Sequence, residues 1–229
     1  MALKKEEVYR KVLHLFTGII FPGLVLYIPR YAPHYSWLPA WLTPKLYPPA
    51  LALVAGIAFT AFEQARFRFG PVQAFFYRLS GSALRPEEAK KMTGATYIVY
   101  AVLVCSIVFV NKPFISFMVL CAFIWGDAAA ALVGQSIGRT KIGKKSLEGS
   151  CACLVLCLFL FTLGFRLVPH ALDAWGGTTP LLLAIAASFC ITVMELFPIK
   201  INRDFTVNDN LTVPVITGIV IEFLYPLLK

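Results

Sequence analysis

Three acidic side chains in this sequence sit where a carboxylate needs a reason. Asp127 lies inside an apolar run, in Ile124-Trp-Gly-Asp-Ala-Ala-Ala-Ala-Leu-Val-Gly134. Glu195 lies near the end of another run, and Asp209 opens the last one, in Val207-Asn-Asp-Asn-Leu-Thr-Val-Pro214. A carboxylate inside hydrocarbon is costly on every scale, so it persists where it binds something. Asp127 is expected about seven residues from the end of its helix, roughly 10 Å deep at 1.5 Å per residue. Hydrogen bonding to a neighbouring helix is the alternative use for it. Asp or Asn before an apolar run is what a helix N-cap requires. A cap accounts for one of Asn208, Asp209 and Asn210 but not for all three. Mg²⁺ takes oxygen ligands, commonly one or two carboxylates together with nucleotide phosphates. Asp127 and Asp209 are therefore the candidate metal pair, with Glu195 and Asn210 in support.

Between Asp127 and the next apolar run lies Gly138-Arg-Thr-Lys-Ile-Gly143-Lys-Lys145-Ser-Leu-Glu148-Gly149-Ser150. Glycines let backbone N–H groups approach a phosphate, and Lys141, Lys144 and Lys145 neutralise it. Gly138, Ser146, Glu148 and Gly149 complete this candidate phosphate-binding loop. Ser150 is expected to open the following helix, whose N-terminus adds partial positive charge. The loop is not a Walker motif: no Ser or Thr follows the lysine at the required place, and no strand precedes it. A plain basic loop with glycine breaks is the competing reading. Near the N-terminus, Arg10, Lys11 and His14 share one helical face. His14 would act as a base, hold a phosphate, or simply be hydrogen-bonded.

The elements that must position these residues are apolar helices. Of the 229 residues 59% are hydrophobic and 14% charged, with a mean hydropathy of +0.74. Soluble domains carry about 25% charged residues. Seven runs approach the roughly 17–25 residues that cross a bilayer: 12–29, 46–62, 95–110, 113–134, 151–168, 180–199 and 211–228. Alternating barrel-type patterning is absent, which leaves an all-α polytopic membrane protein of about seven transmembrane helices, a single domain over 1–229.

With the N-terminus cytoplasmic, 16 of the 21 Lys and Arg fall on the cytoplasmic side and only Arg30, Lys45, Lys112, Arg166 and Lys229 on the other, as the positive-inside rule requires. The net charge of +9 is thereby explained without nucleic-acid binding. Every unusual polar cluster also falls on that same side, which argues for one site at the cytoplasmic interface. Glu222, His34 and His170 are expected toward the far face, outside it.

The first apolar run is too long for a cleavable signal and lacks a small-residue cleavage site. The six cysteines lack metal-site spacing and are expected as small buried residues. The polar stretch from Glu63 to Lys91 is expected as a solvated connector on the bilayer surface or as a gate for substrate. Phe69-Gly-Pro-Val-Gln-Ala-Phe-Phe-Tyr-Arg-Leu would be its interfacial helix and Arg85-Pro-Glu-Glu-Ala-Lys-Lys a second helix start.

Four ordered motifs together resemble the phytol kinase and dolichol kinase family. They are Arg-Lys-x-x-His at 10–14, Gly-Asp-x-x-Ala at 126–130, the glycine loop running into Lys-Ser-x-Glu-Gly-Ser at 145–150, and Glu195 followed by Asp-Asn-Leu-Thr-Val-Pro at 209–214. The resemblance implies an integral membrane kinase that phosphorylates a lipid alcohol with CTP. It places catalytic and nucleotide-binding roles on Arg10, Lys11, His14, Asp127, Lys145, Ser146, Glu148, Glu195, Asp209 and Asn210. Without the extra N-terminal spans of dolichol kinases or a plastid transit peptide, it points to a compact enzyme of a bacterial inner membrane. The expected cofactor is Mg²⁺, and the expected substrates are CTP (or ATP) and a prenyl alcohol of phytol, geranylgeraniol or polyprenol type. A cytidylyltransferase forming a CDP-lipid from a lipid phosphate would use the same nucleotide and metal. A transporter is disfavoured, because the polar residues do not cross both faces and no inverted repeat is visible.

Overall fold

A computed structural model describes residues 5–80, 86–199 and 207–228 of the chain. Lys4, Arg85, Lys200, Arg203 and Lys229 lie outside the described residues. So does the side chain of His14, although its backbone belongs to the first helix.

Among the described residues the fold is all-α, with eight α-helices: α1 Lys5–Tyr31, α2 Tyr47–Arg68, α3 Gly70–Ser80, α4 Gly94–Val108, α5 Pro113–Ser136, α6 Leu147–Thr162, α7 Leu181–Leu196 and α8 Asp209–Leu224. The seven expected apolar runs fall on α1, α2 and α4 to α8. Four helical stretches are long and apolar enough to cross a membrane: Pro44–Arg68, Pro113–Ser136, Leu147–Leu167 and Asp209–Leu227. The apolar parts of the other three, Gly18–Tyr31, Gly94–Val108 and Leu181–Leu196, are shorter. At 1.5 Å per residue they fall short of a hydrocarbon core of about 30 Å.

The burial pattern follows the composition. α5 is apolar all round for three turns, and Ile115 through Ile124 are all buried. A helix of that kind belongs in the middle of a core, and α5 packs against α1, α4, α6, α7 and α8. Pro113 starts it, where the missing N–H has no helical partner to lose. The outer helices expose apolar side chains instead, among them Val54 and Ile57 on α2, Val155 on α6 and Phe189 on α7. Apolar outer surface around a packed apolar core is the pattern of a chain solvated by lipid.

Two close crossings bring α5 against its neighbour α6. A Cβ on Gly126 would stand 2.9 Å from the sulfurs of both Cys153 and Cys157. A Cβ on Gly149 would stand 2.5 Å from the carbonyl oxygen of Ala130. Those two glycines allow the backbones to meet beside Asp127. All six cysteines are free, with Cys105, Cys121, Cys153 and Cys157 buried, Cys190 partly so and Cys151 exposed.

The connector after α2 differs from its expectation. Glu63 and Arg66 are not solvated: they belong to α2 and are buried. α3 occupies the segment expected as an interfacial helix, turning Phe76 inward and Phe75 and Tyr77 outward. Pro86–Ala89 forms a single 3-10 turn rather than a helix start.

Candidate functional site

Lys11 reaches from the first turns of α1 to Asp127 on α5 and forms an ion pair with its Oδ2. Lys11 is 2% exposed, so the pair is held between helices rather than in solvent. Arg10 beside it is also buried. Asp127 stands nine residues before the end of α5 at Ser136, about 14 Å along the axis. It is deeper than the sequence suggests, because α5 runs two residues past the expected boundary.

Lys145 makes the second set of pairs. Its ammonium donates to the backbone carbonyl and to Oε1 of Glu195 at the end of α7, and it lies 3.5 Å from Oδ2 of Asp209 at the start of α8. Burial alone would lower the pKa of this lysine. Glu195 outweighs that, with help from Asp209 and Asp127, and holds it above the usual lysine range. The three carboxylates thus act on one ammonium, and the three ion pairs belong to one charged cluster. Glu195 is buried, and its Oε2 accepts no hydrogen bond from the described residues. A buried carboxylate oxygen without a donor is a place for one more cation or proton.

The loop between α5 and α6 folds as a small hairpin, in which Lys141–Ile142 pairs antiparallel with Lys145–Ser146. Gly143 takes the first position of the two-residue turn at φ +61°, where a II′ turn calls for glycine. The turn exposes Lys141 and Lys144 and turns Lys145 inward. Ser146, rather than Ser150, is the N-cap of α6: its hydroxyl accepts from the Gly149 N–H at 3.2 Å, and Ser150 donates back to the Ser146 carbonyl. Glu148 accepts from the Thr140 N–H at 2.9 Å and ties the hairpin down. Gly134 belongs to α5 and, with Gly138, lies against the Ser146 hydroxyl. Ser146, Glu148, Gly149 and Gly138 therefore shape the loop, while the lysines carry its charge.

The Asn-Asp-Asn sequence divides its labour. Asn208 caps α8 by accepting from the Asn210 N–H at 3.0 Å. Asp209 faces Lys145. Asn210 donates through Nδ2 to the Gly94 carbonyl at 3.0 Å and so ties α8 to the start of α4. Of the expected ligands, Asp127, Glu195 and Asp209 are brought together, and Asn210 serves as a tether beside them.

A second buried network was not expected from the sequence. Glu63 and Arg66 pair through Oε2 at 2.6 Å. Oε1 of Glu63 accepts from the Thr93 N–H, the Thr93 hydroxyl and the Thr96 hydroxyl at 2.6–3.0 Å. Arg66 also donates to the carbonyls of Glu88 and Lys91, and it stacks on Phe67 and Phe76. Glu88 accepts from the Gly94 N–H at 2.9 Å, on the same residue whose carbonyl takes the Asn210 tether. The readable signal was the i, i+3 spacing of opposite charges on the last turns of an apolar helix.

The opposite end of the bundle holds separate pairs, Lys112 with Glu222 and Asp173 with Arg30 and His170. They share no residue with the cluster, in line with the far-face expectation for Glu222 and His170. Among the described residues, no three His, Cys, Asp or Glu side chains converge as a ready-made metal cage. The donor set suits a cation that arrives with oxygen ligands of its own: two or three hard carboxylates, one with a buried oxygen that has no donor among the described residues, beside exposed lysines.

An uncharacterized protein of Rickettsia prowazekii (strain Madrid E) is 26% identical over 215 residues, which cover 91% of this chain and 89% of that protein. No family model and no solved structure matches the chain significantly.

Proposed function

We propose that this chain is a CTP-dependent kinase of a membrane-embedded prenyl alcohol. In this reading it crosses a bacterial inner membrane seven times with its N-terminus and catalytic face in the cytoplasm, the three shorter helices spanning beside the four long ones. The observation that carries the reading is the gathering of Lys11, Asp127, Lys145, Glu195 and Asp209 at one end of an apolar bundle. The motif resemblance and the concentration of Lys and Arg on that side support it.

Lys141 and Lys144, exposed on the hairpin, meet the nucleotide phosphates first, and Lys145 and Lys11 take up charge nearer the reacting group. Asp127 and Asp209, with Glu195, are the residues that would hold Mg²⁺, which when bound would neutralise phosphate oxygens. The prenyl alcohol enters from the side, its chain along the lipid-exposed helices and its hydroxyl at the interface. A carboxylate of the cluster, or His14, orients that hydroxyl toward the γ-phosphate. Phosphoryl transfer asks a protein chiefly for positioning and charge stabilisation, and a rigid cluster between five helices provides both.

The test is transfer from CTP labelled separately at the α- and γ-phosphates, with purified protein, Mg²⁺ and phytol or geranylgeraniol. Label is expected in the lipid only from the γ position. Label from the α position, with a lipid phosphate as acceptor, would assign a cytidylyltransferase instead. No transfer from either position would remove the enzyme reading for these acceptors.

A further inference from the structure

Both lysines of the cluster, Lys11 buried and Lys145 half-buried, are already committed to the carboxylates that a metal would use. Lys11 holds Asp127, and Lys145 holds Glu195 and Asp209. A divalent cation arriving alone would have to displace a lysine, and displacing Lys11, 2% exposed, leaves a buried charge without a partner, which is strongly unfavourable. A nucleotide arriving alone would draw the lysines to its phosphates and leave the buried carboxylate of Glu195 unpaired, which is also unfavourable. Arriving together, cation and phosphates exchange partners with the cluster and leave no charge unpaired. Lys145 is suited to the exchange: it stands on a hairpin turning at Gly143 and carries its charge on a four-carbon stem. The Oε2 atom of Glu195 has no donor among the described residues.

We propose that Lys11 and Lys145 are resident counter-ions that keep the site closed to a divalent cation alone, so that metal and nucleotide bind as a coupled pair. The inference rests on the metal–nucleotide reading of the site, and it assigns the two lysines a role before the reaction as well as during it.

Two measurements test it on the whole chain in detergent, with no alcohol acceptor and hence no turnover. The first is the thermal unfolding of wild-type protein. Mn²⁺ alone and CTP alone (with chelator) are expected to leave the midpoint nearly unchanged, and Mn²⁺ with CTP to raise it, as ligands that bind only the folded state do. The second is Mn²⁺ binding without nucleotide, read by electron paramagnetic resonance. Lys11→Met and Lys145→Met are each expected to bind Mn²⁺ about tenfold or more tightly than wild type, within the usual range of coupling between sites. Asp127→Asn should cancel the gain in the Lys11→Met background.

A wild type stabilised as much by Mn²⁺ alone as by Mn²⁺ with CTP overturns the proposal, whether or not the variants fold. So do folded variants that bind the metal no better than wild type. The kinase reading fails separately, by absence of γ-label transfer in a wild type that still shows the coupled stabilisation.

Discussion

Asp127→Asn is expected to lower γ-phosphate transfer to the lipid by about 10²–10³-fold or more, the scale seen when one preorganised charge-stabilising group is removed. Asparagine keeps the shape and one acceptor oxygen but loses the charge that pairs with Lys11 and would hold a cation. Removing one partner of a fully buried pair costs about 3–5 kcal/mol. Here the loss is smaller, because Asp127 is 18% exposed and the amide oxygen can still accept from Lys11. The variant should therefore insert and purify as a monodisperse species while losing turnover. Asp209→Asn should behave in the same way with still less effect on stability, since Asp209 is a third exposed. Both rates are read by label transfer at saturating CTP. Wild-type rates in both purified variants would remove these two aspartates from the chemistry.

Glu63→Gln is expected to be the most destabilising conservative substitution in the chain. Both partners of the Glu63–Arg66 pair have side chains only 2–3% exposed. Oε1 accepts from three donors and Oε2 from the guanidinium. A glutamine must point its NH₂ group at one of these two sets of donors, so one side is left donor against donor. Breaking a buried pair in this way costs about 3–5 kcal/mol, or a fall of about 6–20 °C in Tm for a chain of this length. Lys112→Met is the control. It breaks a half-exposed pair at the other end, worth about 1 kcal/mol or less. Thermal unfolding in detergent reads both, and equal shifts would mean that the Glu63 network is not an anchor. Because this network holds the segment leading to Gly94, and Gly94 is tethered to Asn210, Glu63→Gln should also loosen the start of α8 beside Asp209.

The helices were legible because burial in lipid and burial in a core demand the same unbroken apolar runs. The central place of α5 follows from its being apolar on every side. The end of the bundle that holds the charged cluster was legible too, since positive-inside bias and the spacing of Asp127, Glu195 and Asp209 along the chain put them on one face. The pairings were not legible: Lys11 and Asp127 are 116 residues apart, and nothing in a single sequence says which lysine reaches which carboxylate. The loop misled for another reason. Ser150 reads as the residue that opens α6, and only the path of the hairpin shows that Ser146 caps it. Glu63 and Arg66 were assigned to a solvated connector because charges after an apolar run normally mark its end. Here Thr93 and Thr96, thirty residues on, bury them.

The measurement that most directly tests one cytoplasmic catalytic face is sidedness in sealed vesicles. Inside-out and right-side-out vesicles from cells making the chain receive γ-labelled CTP, which does not cross the membrane. Label should enter the lipid fraction in the inside-out vesicles alone, and in both preparations once detergent opens them. Equal transfer in intact vesicles of both orientations, or transfer in the right-side-out ones alone, would contradict the assignment of the Asp127–Lys145–Asp209 end as the cytoplasmic site.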